Sequence, residues 1–432
     1  MIFNKLDKIW SKKPQPFYVD KDNELKFDQL KNIEVIGLNR LKKGDVVAII
    51  GDFEPKSIYT LLLLIEKGCI VVPLTKETIK QHEYFLEESK AQYIFHKNLL
   101  QSEISQFQKP HKLLDQLRNN GNPGLILFST GTTGRPKAIL HNFSDFLERY
   151  KTVRPPLKTL TFLLFDHIGG LNTLFHMLFN GGTVVSLQER SVQKVLEMCE
   201  RHAIELLPTT PTFLRLLSLH SNPIIYTKSL RIISYGTERM DEITLKKLCK
   251  ILPNIEFRQT YGMSELGIMR IKSLSNDSTF MKVGGEGVQT KVINNILYIK
   301  SKSRMIGYMN SKNPFDSDGW YCTDDIVEKN EEDYIRIIGR NNDVINVGGL
   351  KFMPSEIELV CLKHIGVKFA KAYAVPNPFT GQHLELKIEL EDKKDFDKVS
   401  FENFLKNNLV KHMRPLKIRY EKLTLSHRFK KL

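Results

Sequence analysis

Little in this 432-residue chain suits a cross-linked, zinc-built or membrane-spanning protein. Its five cysteines, Cys69, Cys199, Cys249, Cys322 and Cys361, lie far apart with no C-x-x-C spacing. That pattern argues against a zinc site or a disulfide framework and for a reducing compartment. The longest apolar stretch, Ile58 to Leu74, is broken by Glu66 and Lys67, so no membrane span is expected. Met1 to Lys5 carry no apolar core of signal-peptide type, and the expected location is cytoplasmic. There is no internal repeat and no low-complexity tract. The net charge of +15 comes from Lys and Arg spread along the whole chain. No nucleic-acid motif accompanies them, so they read as a solvated surface that can attract anionic partners, and nucleic-acid binding is not expected.

What is present is a soluble-type composition, 41% hydrophobic and 26% charged, on a chain too long for one core. Buried-strand patterns at Val46–Ile50, Cys69–Leu74, Tyr93–Phe95, Thr161–Leu164, Thr183–Ser186, Ile204–Leu207 and Arg231–Ser234 alternate with helical stretches such as Ser57–Lys67. This repetition predicts parallel α/β layers. After Gly285 short alternating strands, Ile296–Lys300 and Tyr334–Ile338, predict a β-rich subdomain. The expected fold class is therefore α/β. A large N-terminal domain of layered α/β and β-rich subdomains spans 1–339, and a small mobile α+β domain spans 344–432. The polar, turn-prone stretch at 340–343 is the expected hinge. In the small domain a helix is expected from Pro354 to Leu362 and a strand at Ala372–Val375.

The densest chemical signal is Leu125 to Ala138. An apolar strand runs into Ser129-Thr130-Gly131-Thr132-Thr133-Gly134 and closes on Arg135-Pro136-Lys137. Hydroxyls, backbone N–H groups, two glycines and one lysine form a natural cradle for phosphate oxygens. It is not the P-loop, because no Gly-Lys-Ser/Thr follows. No G-x-S-x-G elbow or Cys/His pairing supplies a protein nucleophile. Three further segments follow: Ser234-Tyr235-Gly236-Thr237-Glu238, Gln259-Thr260-Tyr261-Gly262-Met263-Ser264-Glu265, and Gly319-Trp320-Tyr321-Cys322-Thr323-Asp324-Asp325. Then come Gly339-Arg340, the glycine pair Gly348-Gly349, and the tail Leu423 to Leu432.

In this order and spacing the segments resemble the adenylate-forming superfamily, which comprises acyl-CoA synthetases, peptide-synthetase adenylation domains and firefly-type luciferases. The resemblance extends from the Lys43-Gly44-Asp45 turn to Lys430 and is nearest the acyl- or aryl-acid thiol ligases. It implies that Ser129 to Lys137 hold ATP phosphates, with Thr130 among the catalytic groups. The Gly236-Thr237-Glu238 backbone closes on adenine, Thr260 meets phosphate, Tyr261 stacks on adenine beside Gly262, and Glu265 holds Mg²⁺. Asp325 binds the ribose, with Arg340 as the next ribose or phosphate contact. Asp324 stands where the pattern has Gly, and Asp tolerates a positive φ better than most residues.

The resemblance further implies that Gly348 and Gly349 line the tunnel for the pantetheine arm of coenzyme A or of a carrier-bound phosphopantetheine. Lys430 falls on the catalytic lysine that bridges substrate carboxylate and ATP, with Ser426 for Thr and Phe429 for Gly, and Lys431 as the fallback. His167 falls where a gate near the acyl carboxylate is expected. Asp166 could instead hold an amino acid's ammonium group. The implied reaction is ATP-dependent acid–thiol ligation, with a carboxylic acid substrate and an acidic acyl carrier protein as a candidate partner. The alternatives are an amino-acid adenylating enzyme loading a carrier, and a nucleotide-binding homologue without turnover.

Overall fold

The structure, a computed structural model, describes residues 2–21, 23–104, 110–129, 135–392, 396–426 and 428–430. Its first sheet has seven strands. At its centre, Val46–Ile50 lies parallel to Ile70–Leu74 and to Tyr93–His96, and Ile70–Leu74 pairs parallel with Gly124–Phe128. These strands are apolar at nearly every position because both faces are covered. Val47, Ile49, Val71, Leu125 and Leu127 enter one core, while Val46, Ala48, Ile70, Val72, Ile126 and Phe128 enter another. The two-residue alternation of a strand sends neighbours to opposite faces, so burial on both sides leaves no polar position. Pro55–Lys67 packs as a helix on this sheet, with Pro at its start and Gly68 in the left-handed conformation at its end.

The second sheet also has seven strands. Glu256–Gln259, Ile232–Tyr235, Leu206–Thr209, Lys158–Leu160 and Thr183–Val185 run parallel across it. Here the expectation of a strand at Thr161–Leu164 needs correcting. The strand is Lys158–Leu160. Thr161 still bonds the Val185 carbonyl through its N–H and hydroxyl, and the Phe162 N–H then turns back to the Leu160 carbonyl at 3.0 Å, taking the chain out of the sheet. The residues beyond form a loop that delivers His167 to the start of helix Ile168–Asn180. A third sheet of six antiparallel strands contains Tyr321–Lys329 paired with Ile335–Arg340.

The last sheet has five strands, from Ile345–Val347 to Lys417–Tyr420. It carries its own core of Ile345, Phe352, Ile357, Leu386, Ile388 and Phe401, among others. Its helix spans Pro354–Leu362, as the sequence predicts, with Glu356 reaching back to the Met353 N–H. All five cysteines are free thiols. Among the described residues no helix is long and apolar enough to cross a membrane.

Helix Ile168–Asn180 carries two glycines in its first turn for a steric reason. A Cβ on Gly170 would lie 1.9 Å from the Leu164 carbonyl oxygen. Gly170→Ala should therefore destabilise the protein by up to about 2 kcal/mol, the overpacking cost of about 1–3 kcal/mol less a gain of roughly 1 kcal/mol in helix propensity. Urea unfolding of the two proteins checks the sign.

Candidate active site

The carboxyl ends of parallel strands open onto one cleft of about 1060 Å³, the usual position for ligands in open α/β sheets. Strand Gly124–Phe128 delivers Ser129, strand Ile232–Tyr235 delivers Thr237 and Glu238, and strand Glu256–Gln259 delivers Thr260 and Tyr261 to it. The third sheet supplies Asp325 and Arg340, and the tail supplies Lys430. Side chains up to about 300 residues apart thus share one wall.

The neck of the Ser/Thr/Gly loop is tied shut. Ser129 N–H donates to the Lys137 carbonyl at 3.0 Å, and Lys137 N–H donates to the Ser129 hydroxyl at 3.0 Å. Thr130, Gly131, Thr132, Thr133 and Gly134 lie outside the described residues. Lys137 Nζ sits 4.7 Å from the centre of the Tyr308 ring, and the Tyr308 hydroxyl donates to Glu265 Oε1 at 2.7 Å. One tyrosine therefore joins the loop lysine to the carboxylate expected to hold a metal. No sequence motif marks Tyr308, which comes from a short strand pairing with Ala138–Asn142.

Tyr261 and Asp325 meet directly. The buried Tyr261 hydroxyl donates to Asp325 Oδ2 at 2.5 Å, and Arg340 Nε lies 3.4 Å from Asp325 Oδ1. Burial raises the Asp325 carboxyl above the ordinary range, opposed by Tyr261 and Arg340. Burial, then the Asp325 charge, pushes the Tyr261 phenol well above its usual value. Asp324 has φ 57°, the left-handed backbone for which the pattern's glycine would be suited. Thr260 donates its hydroxyl to the Tyr235 carbonyl at 3.0 Å. It crowds Gly236, where a Cβ would fall 2.1 Å from Thr260 Oγ1. Gly262 is small for the same kind of reason, with the Gly267 carbonyl 2.6 Å from its would-be Cβ.

Lys430 reaches the cleft beside Glu238. Loss of water lowers its pKa to about 8, with Glu238 opposing and Arg428 and Arg340 reinforcing the shift. The Glu238 carboxylate accepts from the Thr212 N–H at 3.2 Å and the Thr212 hydroxyl at 2.7 Å. A tight turn sets the lysine: Ser426 N–H donates to the Lys430 carbonyl at 2.8 Å, and Lys430 N–H donates to Ser426 Oγ at 3.1 Å. Lys431 lies outside the described residues.

His167 caps helix Ile168–Asn180, its Nδ1 accepting from the Gly169 N–H at 3.1 Å. It also lines a cavity of about 10 Å³ together with Phe429 and Lys430, room for about one water. Asp166 beside it is buried, accepts from the Thr75 hydroxyl at 3.2 Å, and faces Arg428 at 3.7 Å. Its charge is thus already matched within the chain. Gly348 and Gly349 do not line the cleft. They form a hairpin turn with φ 58° and 88°, and open space surrounds each would-be Cβ. Turn geometry explains both glycines in this arrangement.

The residues present fit a magnesium nucleotide. Mg²⁺ is commonly held by one or two carboxylates together with substrate phosphates, and Glu265, although not itself in the cleft lining, offers a carboxylate joined through Tyr308 to Lys137. A buried ammonium with too little compensating charge suits an added anion.

Layered parallel sheets whose strands end at one cleft place the protein in the ligand-binding α/β class. The chain belongs to the AMP-binding enzyme family, whose pattern matches residues 37–296. Among its relatives is an uncharacterized acyl–CoA ligase of Bacillus subtilis, YhfT, 26% identical over 73% of this chain and 72% of the relative. Another is the medium/long-chain-fatty-acid–[acyl-carrier-protein] ligase FadD10 of Mycobacterium tuberculosis, 26% identical over 62% of this chain and 56% of the relative. The crystal structure of the anthranilate CoA ligase AuaEII with anthranoyl-AMP superposes with a TM-score of 0.82. It is 15% identical and covers 99% of this chain and 95% of its own.

Asp325→Ala should weaken AMP binding about 10- to 100-fold, because a hydrogen bond to a charged group contributes about 1.5–3 kcal/mol. Calorimetric titration of AMP into both proteins measures it, and equal affinities would remove Asp325 from the nucleotide site.

Proposed function

We propose that this protein is an ATP-dependent acid–thiol ligase, which activates a carboxylic acid as its acyl-adenylate and passes the acyl group to a thiol. The observation that carries the reading is the convergence of Lys430 with Glu238, Tyr261, Asp325 and Arg340 on one cleft. A carboxylate is a poor electrophile because its charge repels nucleophiles and oxide is a poor leaving group. Attack of the carboxylate oxygen on the ATP α-phosphorus forms a new P–O bond and releases pyrophosphate, leaving AMP as the leaving group for the next step.

In that step the chain's work is positioning and charge stabilisation. Asp325 and Arg340 orient the ribose, Tyr261 and the Gly236–Glu238 segment border the adenine, and Thr260 and the Ser129–Lys137 loop face phosphate. Lys430 bridges the carboxylate and the α-phosphate. Mg²⁺ on Glu265, when bound, neutralises part of the phosphate charge. His167 shares the small cavity behind Lys430 and is the gate residue toward the acid in this reading.

The division into 1–339, a hinge at 340–343 and 344–432 gives the second step its means. Rotation about the hinge withdraws Lys430 and brings the Gly348–Gly349 turn to the cleft. A pantetheine thiol then attacks the acyl carbonyl, forming the C–S bond and expelling AMP. The donor of that thiol is coenzyme A in the name of the B. subtilis relative and an acyl carrier protein in that of the M. tuberculosis one. A net charge of +15 suits either anion. Five free thiols suit work in the cytoplasm. Amino-acid loading loses its support because Asp166 already faces Arg428, and the placement of Lys430 in the cleft speaks for turnover.

Pyrophosphate release across a panel of fatty, aromatic and amino acids, with coenzyme A or a pantetheinylated carrier as acceptor, tests the proposal. Activity on amino acids alone, or on nothing, would count against it. Lys430→Ala should slow adenylate formation about 10²–10³-fold, as loss of one transition-state donor does. The same variant should spare thioester formation from supplied acyl-adenylate, and equal survival of both half-reactions would exclude Lys430 from the first.

A further inference from the structure

Phe429 stands immediately before Lys430, at the position where the adenylate-forming pattern has glycine. Its backbone keeps the glycine-like left-handed conformation, φ 53°, which strains a residue that carries a side chain. Such a residue persists only when its surroundings fix it. The Phe429 N–H donates to the Ser426 carbonyl at 2.9 Å within the tail's own turn, and three further sets of contacts reach into the body of the protein ahead of residue 340.

The ring packs against Phe162 at 5.4 Å and Phe213 at 6.0 Å between centroids, inside the range of favourable aromatic pairs. Thr210, which caps the helix Pro211–Ser218 by accepting from the Phe213 N–H, also donates its hydroxyl to the Phe429 carbonyl at 3.1 Å. One residue earlier, Arg428 lies 3.7 Å from Asp166, the two side chains 10% and 5% exposed. At 3.7 Å the two groups attract without a hydrogen bond between them, which favours the docked tail, and Asp166 keeps its Thr75 partner when the tail leaves. A glycine at 429 would provide the turn and none of the ring contacts.

We propose that Phe429 is a positioning residue for adenylate formation: with the Arg428–Asp166 pair it forms a clasp that registers Lys430 in the cleft and opens before thiol transfer. This rests on the acid–thiol ligase reading. It assigns a purpose to the one tail residue that departs most in size from the pattern. It also accounts for Asp166 as a receptor for the chain's own tail. Because the clasp holds the first-step arrangement only, weakening it should affect the two half-reactions unequally.

The test compares the full-length protein with Phe429→Ala, which keeps the strained backbone and removes the ring, and with Phe429→Leu, which retains an apolar anchor. Hydrogen exchange of the Leu423–Lys430 amides should speed up at least tenfold in Phe429→Ala and recover in Phe429→Leu, with the melting temperature little changed. Using an acid active in the parent, kcat for adenylate formation should fall tenfold or more with KM for ATP nearly constant. Thioester formation from the supplied acyl-adenylate should be unchanged or faster. Unchanged exchange in the tail, or both half-reactions falling together with the melting temperature, would overturn the clasp. A parent inactive on every acid would defeat the ligase reading and with it the positioning role, while the exchange comparison still decides whether Phe429 anchors the tail.

Discussion

Lys430 keeps an ammonium group where much of its water has been removed, and of its charged neighbours Glu238 favours the charge while Arg428 and Arg340 oppose it. Such a site is out of balance by itself. An anion beside the lysine and Arg340 would restore the balance, and the electrostatics that depress the lysine's pKa are of the kind that favours one. The rest of the architecture can be read as the means of bringing this group there. Parallel strands end at the cleft and fix Thr237, Glu238, Thr260 and Tyr261. The third sheet fixes Asp325 and Arg340. The tail arrives last and is held at Ser426, Arg428 and Phe429.

The arrangement also separates strength of holding from permanence. Asp166, Thr210, Phe162 and Phe213 hold the tail through a few side chains, and the small domain's own core of Ile345, Phe352, Leu386 and Phe401 is complete without them. A unit with its own core can leave one surface and meet another without unfolding. The open hairpin turn at Gly348–Gly349, outside the cleft lining in this arrangement, is compatible with a second docking.

Much of this was legible in the sequence for identifiable reasons. Val46–Ile50 and Ile70–Leu74 are apolar throughout because they are covered on both faces, a pattern that needs no partner to be recognised. Helix Pro354–Leu362 declares itself by Pro and Glu in its first turn. Tyr261, Asp325 and Lys430 stand out because each sits in a local motif. Tyr308, Thr212 and Phe162 do not, since their roles arise from contacts to residues dozens of positions or more away and carry no spacing signal. The strand expected at Thr161–Leu164 ends early because the Phe162 N–H turns back to the Leu160 carbonyl and bends the chain out of the sheet, which apolar character alone does not reveal. The Arg428–Asp166 pair carries no sequence signal either, since the two residues lie more than 250 positions apart and only the fold brings them together.

The most direct test of the central claim is the titration of the Lys430 amine itself, followed by NMR of isotope-labelled lysine in the full chain and assigned by Lys430→Arg. A midpoint near 8 is expected, so that the charge is lost as pH rises through that value, with an upward shift when a non-reactive acyl-adenylate mimic adds its negative charge. A midpoint at the ordinary lysine value of about 10.4, unmoved by the mimic, would contradict it.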